Sequence, residues 1–280
     1  MADYEIRDNV LDYDNISEMV PALVGHRRLV NFLLRMLTFN KVNWLHSRNC
    51  HKPGAGVPNG MLADLNVKLD IDGLDVLDNL PKGPFITVSN HPFGGFDGIM
   101  LTSIIGSRRP DYKVMVNMTL NLITGMRQFF IAVDALDSDD PAKKAVSVRG
   151  IKEAIQQVRD GHVLGFFPAG AVSKINKHLR IEDREWQPNV ARIIKQCNVP
   201  VIPIYFHGHN STWFNILGLI SWKLRTLRLP AEIFNKHDKT MRISVGPVIS
   251  VEEQKQHQAT NEEFAAWLKA KTYALRHNKK

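Results

Sequence analysis

The chain has 280 residues, of which 44% are hydrophobic and 23% are charged. This balance is typical of a globular protein with a sizeable core, and it excludes disordered and collagen-like chains. The formal net charge of +8 at pH 7 favours an acidic partner such as nucleic acid, anionic lipid or an acidic carrier protein, without choosing among them.

Cysteine usage and the polar N-terminus bear on the compartment. Cys50 and Cys197 lie far apart and outside any metal-binding spacing, which predicts structural thiols in a reducing compartment. The N-terminal residues lack the pattern of a secretory signal. No run reaches the roughly 18 apolar residues that a membrane-spanning helix needs. We therefore expect a cytoplasmic protein that is able to lie on a membrane.

Residues 1–60 predict a helical arm that ends in a loop. RRLVNFLLRMLTF, at 27–39, places apolar residues at helical spacing with arginines among them. HKPGAGVPNG, at 51–60, is typical of a loop because of its glycine and proline content. We expect this loop to separate the arm from an α/β domain spanning residues 61–280.

From residue 61 onward, predicted strands alternate with predicted helices. The strands are predicted at 67–71, 85–89, 113–116, 129–133, 162–167, 199–206 and 241–249. The helices are predicted near 98–106, 118–127, 141–159 and 187–197, and a last one follows the capping pair Thr260 and Glu263. Several strands are apolar on both faces, as in a sheet covered on both sides. The pattern predicts an α/β fold with a mostly parallel central sheet flanked by helices, in which ligands lie beyond the carboxyl ends of strands.

The stretch FITVSNHPFGGFDG, at 85–98, places reactive side chains at such a strand end. His91 follows the strand directly, and Asp97 comes six residues later, after the flexible pair Gly94 and Gly95. A carboxylate that fixes the imidazole tautomer and stabilises the imidazolium makes His91 a candidate general base. Spacing alone leaves an alternative open, in which Asp97 is a helix N-cap and His91 a hydrogen-bonded residue at a strand end.

Three blocks, in this order along the chain, resemble the lysophospholipid (glycerolipid) acyltransferase family. NHPFGGFDG resembles its first signature block, GFFPAGAVS (165–173) its Phe-Pro-x-Gly block, and VPVIPIYFHGHNS (199–211) its late Val-Pro-x-x-Pro block. FHGHNSTWFN (206–215), followed by LRTLRLPAEIFNKHDKTMRISVGPVI (224–249), is similar to the bacterial hemolysin-like branch, which is associated with amino-acid-containing lipids.

The resemblance implies an acyltransferase with a glycerolipid acyltransferase-like fold. Such an enzyme moves a fatty-acyl group from an acyl thioester, either acyl-CoA or acyl carrier protein (acyl-ACP), to a lysolipid such as a lyso-phospholipid or lyso-amino-lipid. His91 would be the base and Asp97 its partner, with no metal and no cofactor besides the thioester co-substrate. The substrate-binding residues that the resemblance implies are Asn90, Gly94, Gly95, Phe96, Arg127, Phe167, Pro168, Gly170, Ser173 and Lys174.

The sequence departs from the family pattern where the family binds phosphate. Five residues instead of four separate His91 from Asp97, and Asp134 stands where the family's second block ends in an arginine. The family's Glu, Thr and Arg of the third block are replaced by Ala169, Ala171 and Val172. A phosphomonoester acceptor needs positive charge at this place, so the replacements favour a lyso-amino-lipid. Arg127 and Lys174 are the candidate replacement cations.

Two apolar stretches, 27–39 and 211–230, predict a peripheral position on the inner face of the cell membrane. Tryptophan and arginine beside apolar residues suit a headgroup interface, notably Trp213 and Trp222 with Lys223, Arg225 and Arg228. The alternative is that these faces pack on the protein's own core. The basic segment 173–186 is a candidate site for a carrier protein or for the phosphates of coenzyme A, and equally a solvated loop.

Two rival functions stay open on the sequence alone. A thioester hydrolase would use the same His–Asp pair to activate water, and a non-catalytic protein would only bind lipid. Nucleic acid is not expected as a partner, because no recognition motif accompanies the scattered basic residues. His207 and His209 have no carboxylate or cysteine at ligand spacing, so we expect no metal site there.

Overall fold

A seven-stranded sheet forms the centre of the protein in the computed structural model, which describes residues 4–134 and 141–277. Its strands are β1 (Lys68–Asp72), β2 (Ile86–Ser89), β3 (Lys113–Asn117), β4 (Phe130–Val133), β5 (Leu164–Phe166), β8 (Val201–Phe206) and β9 (Thr240–Val245). Two further strands, β6 (Lys174–Ile175) and β7 (Ile181–Glu182), lie outside this sheet. The sheet order is β1-β9-β8-β2-β5-β3-β4, and its neighbours are parallel except β8 and β9. β6 and β7 form a separate antiparallel hairpin. The predicted mostly parallel sheet is confirmed.

Helices flank this sheet and form the N-terminal arm. They are α1 (Tyr13–Met19), α2 (Arg27–Met36), α3 (Phe39–Ser47), α4 (Gly56–Asp64), α5 (Leu74–Asp78), α6 (Gly95–Gly106), α7 (Pro141–Arg159), α8 (Pro188–Cys197), α9 (Thr212–Ile220), α10 (Trp222–Leu227), α11 (Leu229–Phe234), α12 (Val251–Lys255) and α13 (Asn261–Ala274). The predicted cap of α13 is present, since the Thr260 hydroxyl accepts a hydrogen bond from the Glu263 N–H at 3.0 Å.

Two apolar cores hold the layers together. Ile202 and Ile204 of β8 join the core that contains α4 and α6, whereas Val201 joins the core that contains α8 and α13. Successive side chains of a strand point to opposite faces, so helices cover the sheet on both sides. Every residue of β2 and β8 is buried. This explains why these two segments read as continuous apolar runs.

The loop predicted at 51–60 is wrong in its second half, because α4 begins at Gly56. Val57 and Met61 of α4 are buried against the core, and Pro58 lies in the first helical turn, where proline is tolerated. Burial of this apolar face outweighs the glycine content. The helix also crosses the boundary expected at residue 60. The helix predicted at 118–127 consists instead of two 3₁₀ helices, Met118–Leu122 and Thr124–Phe129.

Candidate active site

The corner after β2 is fastened to the neighbouring strand β8. The Asn90 side-chain amide donates to the Phe206 carbonyl at 2.9 Å, and its carbonyl accepts from the Phe206 N–H at 2.7 Å. Both ends of this buried side chain are therefore used by the sheet. Through these bonds Asn90, expected to bind substrate, fixes where the next residue, His91, leaves the strand, and its contact with a substrate stays a prediction.

His91 and Asp97 meet at this corner. His91 Nδ1 lies 3.0 Å from Asp97 Oδ2, an ion-pair distance without the alignment of a full hydrogen bond. The Asp97 side chain is fully buried, whereas 17% of the His91 side chain is exposed. The same Oδ2 accepts the Phe93 N–H at 2.8 Å. Because α6 begins at Gly95 with Gly94 as its N-cap, Asp97 lies inside the first turn and is not the N-cap.

Gly94 makes the tight turn between the two side chains possible. Its φ of +72° is the left-handed conformation that glycine tolerates, and a Cβ there would lie 2.9 Å from Leu229 Cδ2. Gly95 is different, because a Cβ at Gly95 would meet no atom within 4 Å. Of the expected glycine pair, only the first is required by the backbone.

The electrostatics of the corner depend on the buried carboxyl group. Burial raises the pKa of Asp97, while the His91 ring and the Phe93 N–H act to lower it. Asp97 Oδ1 is buried and has no hydrogen-bond partner among the described residues. His91 is thus the neighbour that compensates the charge of the ionised Asp97. With Nδ1 facing Asp97, Nε2 on the opposite edge of the ring is the atom available to a ligand.

A second carboxylate holds the backbone of His91. The His91 N–H donates to Asp183 Oδ1 at 3.1 Å, and the His91 carbonyl accepts from the Ser173 N–H at 2.9 Å. The Ser173 hydroxyl and the Trp186 indole N–H also donate to Asp183, at 2.6 and 3.0 Å. Sequence reasoning missed Asp183, since an acid within a charged run gives no sign of burial. Ser173, expected to bind substrate, is buried and donates to this carboxylate, and a role in binding substrate stays a prediction.

A cavity of about 310 Å³ opens beside His91. Towards the arm its wall is mostly apolar, with Val10, Val42, Leu45, Met61, Ile123 and Phe130 beside the buried His46. Phe167 also lines it and packs against His91, with ring centroids 4.3 Å apart. The described lining residues thus place a largely apolar space next to the exposed edge of an imidazole.

The expected site residues divide into those that line the cavity and those that do not. His91, Gly94, Gly95, Phe167 and Gly170 line it, whereas Asn90, Phe96, Arg127, Pro168, Ser173 and Lys174 are outside its wall.

The expected replacement cations are among those outside the wall. Arg127 donates to the Asn121 carbonyl at 2.5 Å and lies over the Tyr4 ring, and Lys174 is exposed on the β6–β7 hairpin. Neither side chain lines the cavity, so their role as replacements for the phosphate-binding arginine stays a prediction. Arg184, which the sequence analysis placed in the basic segment 173–186 proposed for the acyl donor, lines the cavity.

A buried ionic network lies behind the corner. Glu232 accepts hydrogen bonds from the Ser211 N–H at 2.9 Å and from the Ser211 hydroxyl at 2.6 Å. Lys236 donates to Asn210 Oδ1 at 2.9 Å, and its ammonium lies 4.8 Å from the centroid of the Phe93 ring. Burial lowers the pKa of Lys236, while the charges of Glu232 and Asp97 act to raise it. The network fixes the loop after β8 against the His–Asp turn.

The two stretches expected at a membrane expose large apolar side chains. No helix within the described ranges is both long and apolar enough to span a bilayer. The exposed apolar residues of α2 are Leu29, Phe32 and Met36. Those of α9–α10 are Trp213, Ile216, Leu219, Ile220, Trp222, Leu224 and Leu227. Arg225 corrects the expectation of a headgroup contact, because its guanidinium turns inward and donates to the carbonyls of Val172 and Ser173, both at 3.1 Å.

The chain is similar in sequence to acyltransferases. A family model described as acyltransferase matches residues 15–279. The "Lyso-glycine lipid O-acyltransferase" of Bacteroides thetaiotaomicron is 28% identical over 230 residues, which cover 79% of this chain and 80% of the relative. The protein of the same name from Phocaeicola vulgatus is 26% identical over 231 residues, covering 80% and 79%. The solved structure of the 1-acyl-sn-glycerophosphate (LPA) acyltransferase PlsC from Thermotoga maritima matches with a TM-score of 0.48 and 13% identity, covering 89% of this chain and 96% of PlsC.

Proposed function

Since the chain belongs to the acyltransferase family, we propose that it transfers a fatty-acyl group from an acyl thioester to a hydroxyl of a lysolipid, with His91 as the general base. The observation that carries the proposal is the His91–Asp97 pair, 3.0 Å apart, at the rim of an apolar cavity. A fatty-acyl chain fits such a wall, and the partly exposed imidazole lies where the reacting groups would meet.

The mechanism follows from the two edges of the imidazole. Asp97 faces Nδ1, so Nε2 takes the proton of the acceptor hydroxyl as its oxygen attacks the thioester carbonyl. The resulting imidazolium is stabilised by the Asp97 carboxylate. When the tetrahedral intermediate collapses, the C–S bond breaks and the proton on His91 passes to the leaving thiolate. The products are an ester and a free thiol, and no covalent enzyme intermediate is formed.

Backbone N–H groups of the 92–96 turn are the candidate oxyanion donors. Pro92 has no N–H, and the Phe93 N–H is used by Asp97. Gly94 and Gly95 both line the cavity, and among the residues that the structure describes neither N–H is given a hydrogen-bond acceptor, which makes them candidates to bind a ligand. Preorganised donors of this kind stabilise the charge that develops on the carbonyl oxygen.

We propose a lyso-glycine lipid as the acceptor class. Two relatives carry that name, and Ala169 and Val172 stand where a phosphate-binding family member has charged residues. Glycine has no hydroxyl, so the accepting hydroxyl must lie on the attached fatty chain. If that chain is amide-linked to glycine, the headgroup presents a free carboxylate.

We propose that the enzyme works on the inner face of the cell membrane. The exposed tryptophans of α9–α10, together with Phe32 of α2, provide apolar contact, and Lys223, Arg28 and Arg35 provide positive charge. The exposed tip of the β6–β7 hairpin carries Lys177, His178 and Arg180, which suit the phosphates of coenzyme A or the acidic surface of a carrier protein. Parallel assays with acyl-CoA and acyl-ACP distinguish the two donors.

The experiment that tests the function is a transfer assay on vesicles. The purified protein is given an acyl thioester and glycine amide-linked to a hydroxy-fatty acid, and the ester product is measured by mass spectrometry. His91→Ala should lower the rate by about 10²–10⁴-fold, whereas His209→Ala, an exposed histidine of a neighbouring loop, should leave it unchanged. Thioester consumption that is equally fast without acceptor would identify a hydrolase and refute the proposal.

A further inference from the structure

The cavity wall next to His91 changes from apolar to polar at the start of α8. Gly170, Arg184 and Gln187 line this part. Among the described lining residues, Arg184 is the one arginine or lysine. Asp134, which follows β4, also lines the cavity and carries a negative charge. The positive charge that arginine and lysine give the described wall is therefore confined to Arg184.

Arg184 is held by one edge of its guanidinium. Nε donates to the Ala169 carbonyl at 2.6 Å, which leaves the two terminal nitrogens without an ion pair among the described residues. The nearby acids are used elsewhere: Glu182 pairs with Arg276 at 3.3 Å and Glu185 with Lys269 at 3.2 Å. A guanidinium anchored in this way presents a planar pair of donors, the geometry that matches a carboxylate.

Gln187 adds an amide beside the guanidinium. Its Nε2 lies 3.5 Å from the Ala169 carbonyl, a long and weak hydrogen bond that a better acceptor can replace. Gly170, with φ +62°, keeps this space open, because a Cβ there would meet Gln187 Nε2. The methyl group of Ala169 occupies the position where the family pattern has a glutamate, so no acid competes for Arg184.

The position of Arg184 is coupled to that of the base. The preceding residue, Asp183, accepts the His91 N–H at 3.1 Å, and Ser173 bonds both residues of this contact. Hydrogen bonds therefore join the backbone of His91 to the residue that precedes Arg184. A headgroup bound by Arg184 would hold its attached chain in a defined place relative to His91.

We infer that Arg184 and Gln187 bind the carboxylate of the acceptor's headgroup, and this inference rests on the proposed acyl transfer to a lysolipid. A carboxylate carries one negative charge, which one anchored arginine and an amide satisfy. A phosphomonoester carries nearly two charges and needs more positive charge than this wall supplies. The subsite thus selects acidic amino-acid lipids over lysophosphatidate.

Two acceptors of the same shape test the subsite. One is glycine amide-linked to a hydroxy-fatty acid, and the other is its primary carboxamide, which lacks the charge. Wild-type kcat/KM should be higher for the carboxylate acceptor. Arg184→Gln should lower it about 10- to 100-fold for that acceptor, mainly through KM, since a hydrogen-bonded charge contributes about 1.5–3 kcal/mol. Arg184→Gln should leave kcat/KM for the carboxamide acceptor unchanged. Arg184→Lys should recover part of the loss, and Arg192→Gln, on the exposed face of α8, should change neither acceptor.

Binding to an inactive variant separates this inference from the proposed function. In His91→Ala, the affinity for the carboxylate acceptor is measured by calorimetry with and without Arg184→Gln, and the second change should weaken it about tenfold or more. Loss of binding upon Arg184→Gln together with no transfer by the wild type would refute the proposed reaction and retain the subsite. Equal effects of Arg184→Gln on both acceptors, or none on either, would refute the subsite.

Discussion

Replacing Asp97 by Asn separates what this residue does for stability from what it does for the reaction. Asn is nearly the same size, and its Oδ1 can still accept the Phe93 N–H that now reaches Oδ2 at 2.8 Å. The negative charge next to His91 is lost. We expect turnover to fall by roughly 10²–10⁴-fold, because the imidazolium formed during proton transfer is no longer compensated. The fold should persist.

The pH dependence of unfolding carries the sharper expectation. Burial raises the pKa of Asp97, so the folded state binds a proton more tightly than the unfolded state does. Wild-type stability therefore decreases as the pH rises through the folded-state pKa, by about 1.4 kcal/mol for each unit by which that pKa is raised. Asp97→Asn lacks this penalty. The stability of the variant relative to the wild type should thus grow with pH and shrink as the pH falls.

Urea unfolding of both proteins between pH 4 and pH 8, followed by circular dichroism, measures this difference. Burying the new amide costs the same free energy at every pH, so this cost cancels when the stability differences between variant and wild type at two pH values are compared. Asp75→Asn, at an exposed position in the first turn of α5, is the matched control and should leave turnover unchanged. A relative stability that grows as the pH falls would mean that the attraction of His91 exceeds the cost of burial. Retention of turnover within threefold would refute the role of the carboxylate.

Three further outcomes follow from the contacts. Asp183→Ala removes the acceptor of three hydrogen-bond donors. We expect the free energy of unfolding, measured with denaturant, to fall by about 1–3 kcal/mol, together with lower turnover. Asp183→Asn should lower the free energy of unfolding less. Gly94→Ala should lower stability by about 1–3 kcal/mol in thermal unfolding because of its positive φ, while Gly95→Ala should be nearly neutral. The double variant Trp213→Ser and Trp222→Ser should reduce the fraction of the protein that sediments with anionic vesicles. Its melting temperature should be unchanged, since both side chains are more than half exposed.

The sequence predicted the sheet well because its strands are short apolar runs with little competing signal. β2 and β8 are buried throughout and can only pair with other strands. The His91–Asp97 proximity was also predictable, because the two residues lie in one short turn and Gly94 admits its conformation. Local spacing was sufficient in both cases.

The sequence did not predict the contacts that join distant segments. Asp183 is 92 residues from His91, and its burial depends on the β6–β7 hairpin folding back over the corner. Its identity as one acid in a charged run carries no sign of this. α4 was missed for a related reason, since the helix is specified by burial of Val57 and Met61 against the core and not by its local composition. Glu232 and Lys236 lie beyond the segment read as membrane-facing, and their long-range contacts are with Ser211 and Asn210 in the loop after β8.

The β6–β7 hairpin has one constrained end and one unconstrained end. Ser173 and Asp183, where the two strands begin and end, are joined to each other and to the backbone of His91. Leu179, at the tip, is 87% exposed and has a positive φ. Insertions, deletions and charge changes at the tip are therefore compatible with an intact His91–Asp97 corner, whereas any change in the length of either strand shifts the histidine. If the tip binds the acyl donor as proposed, donor preference can change there without moving His91.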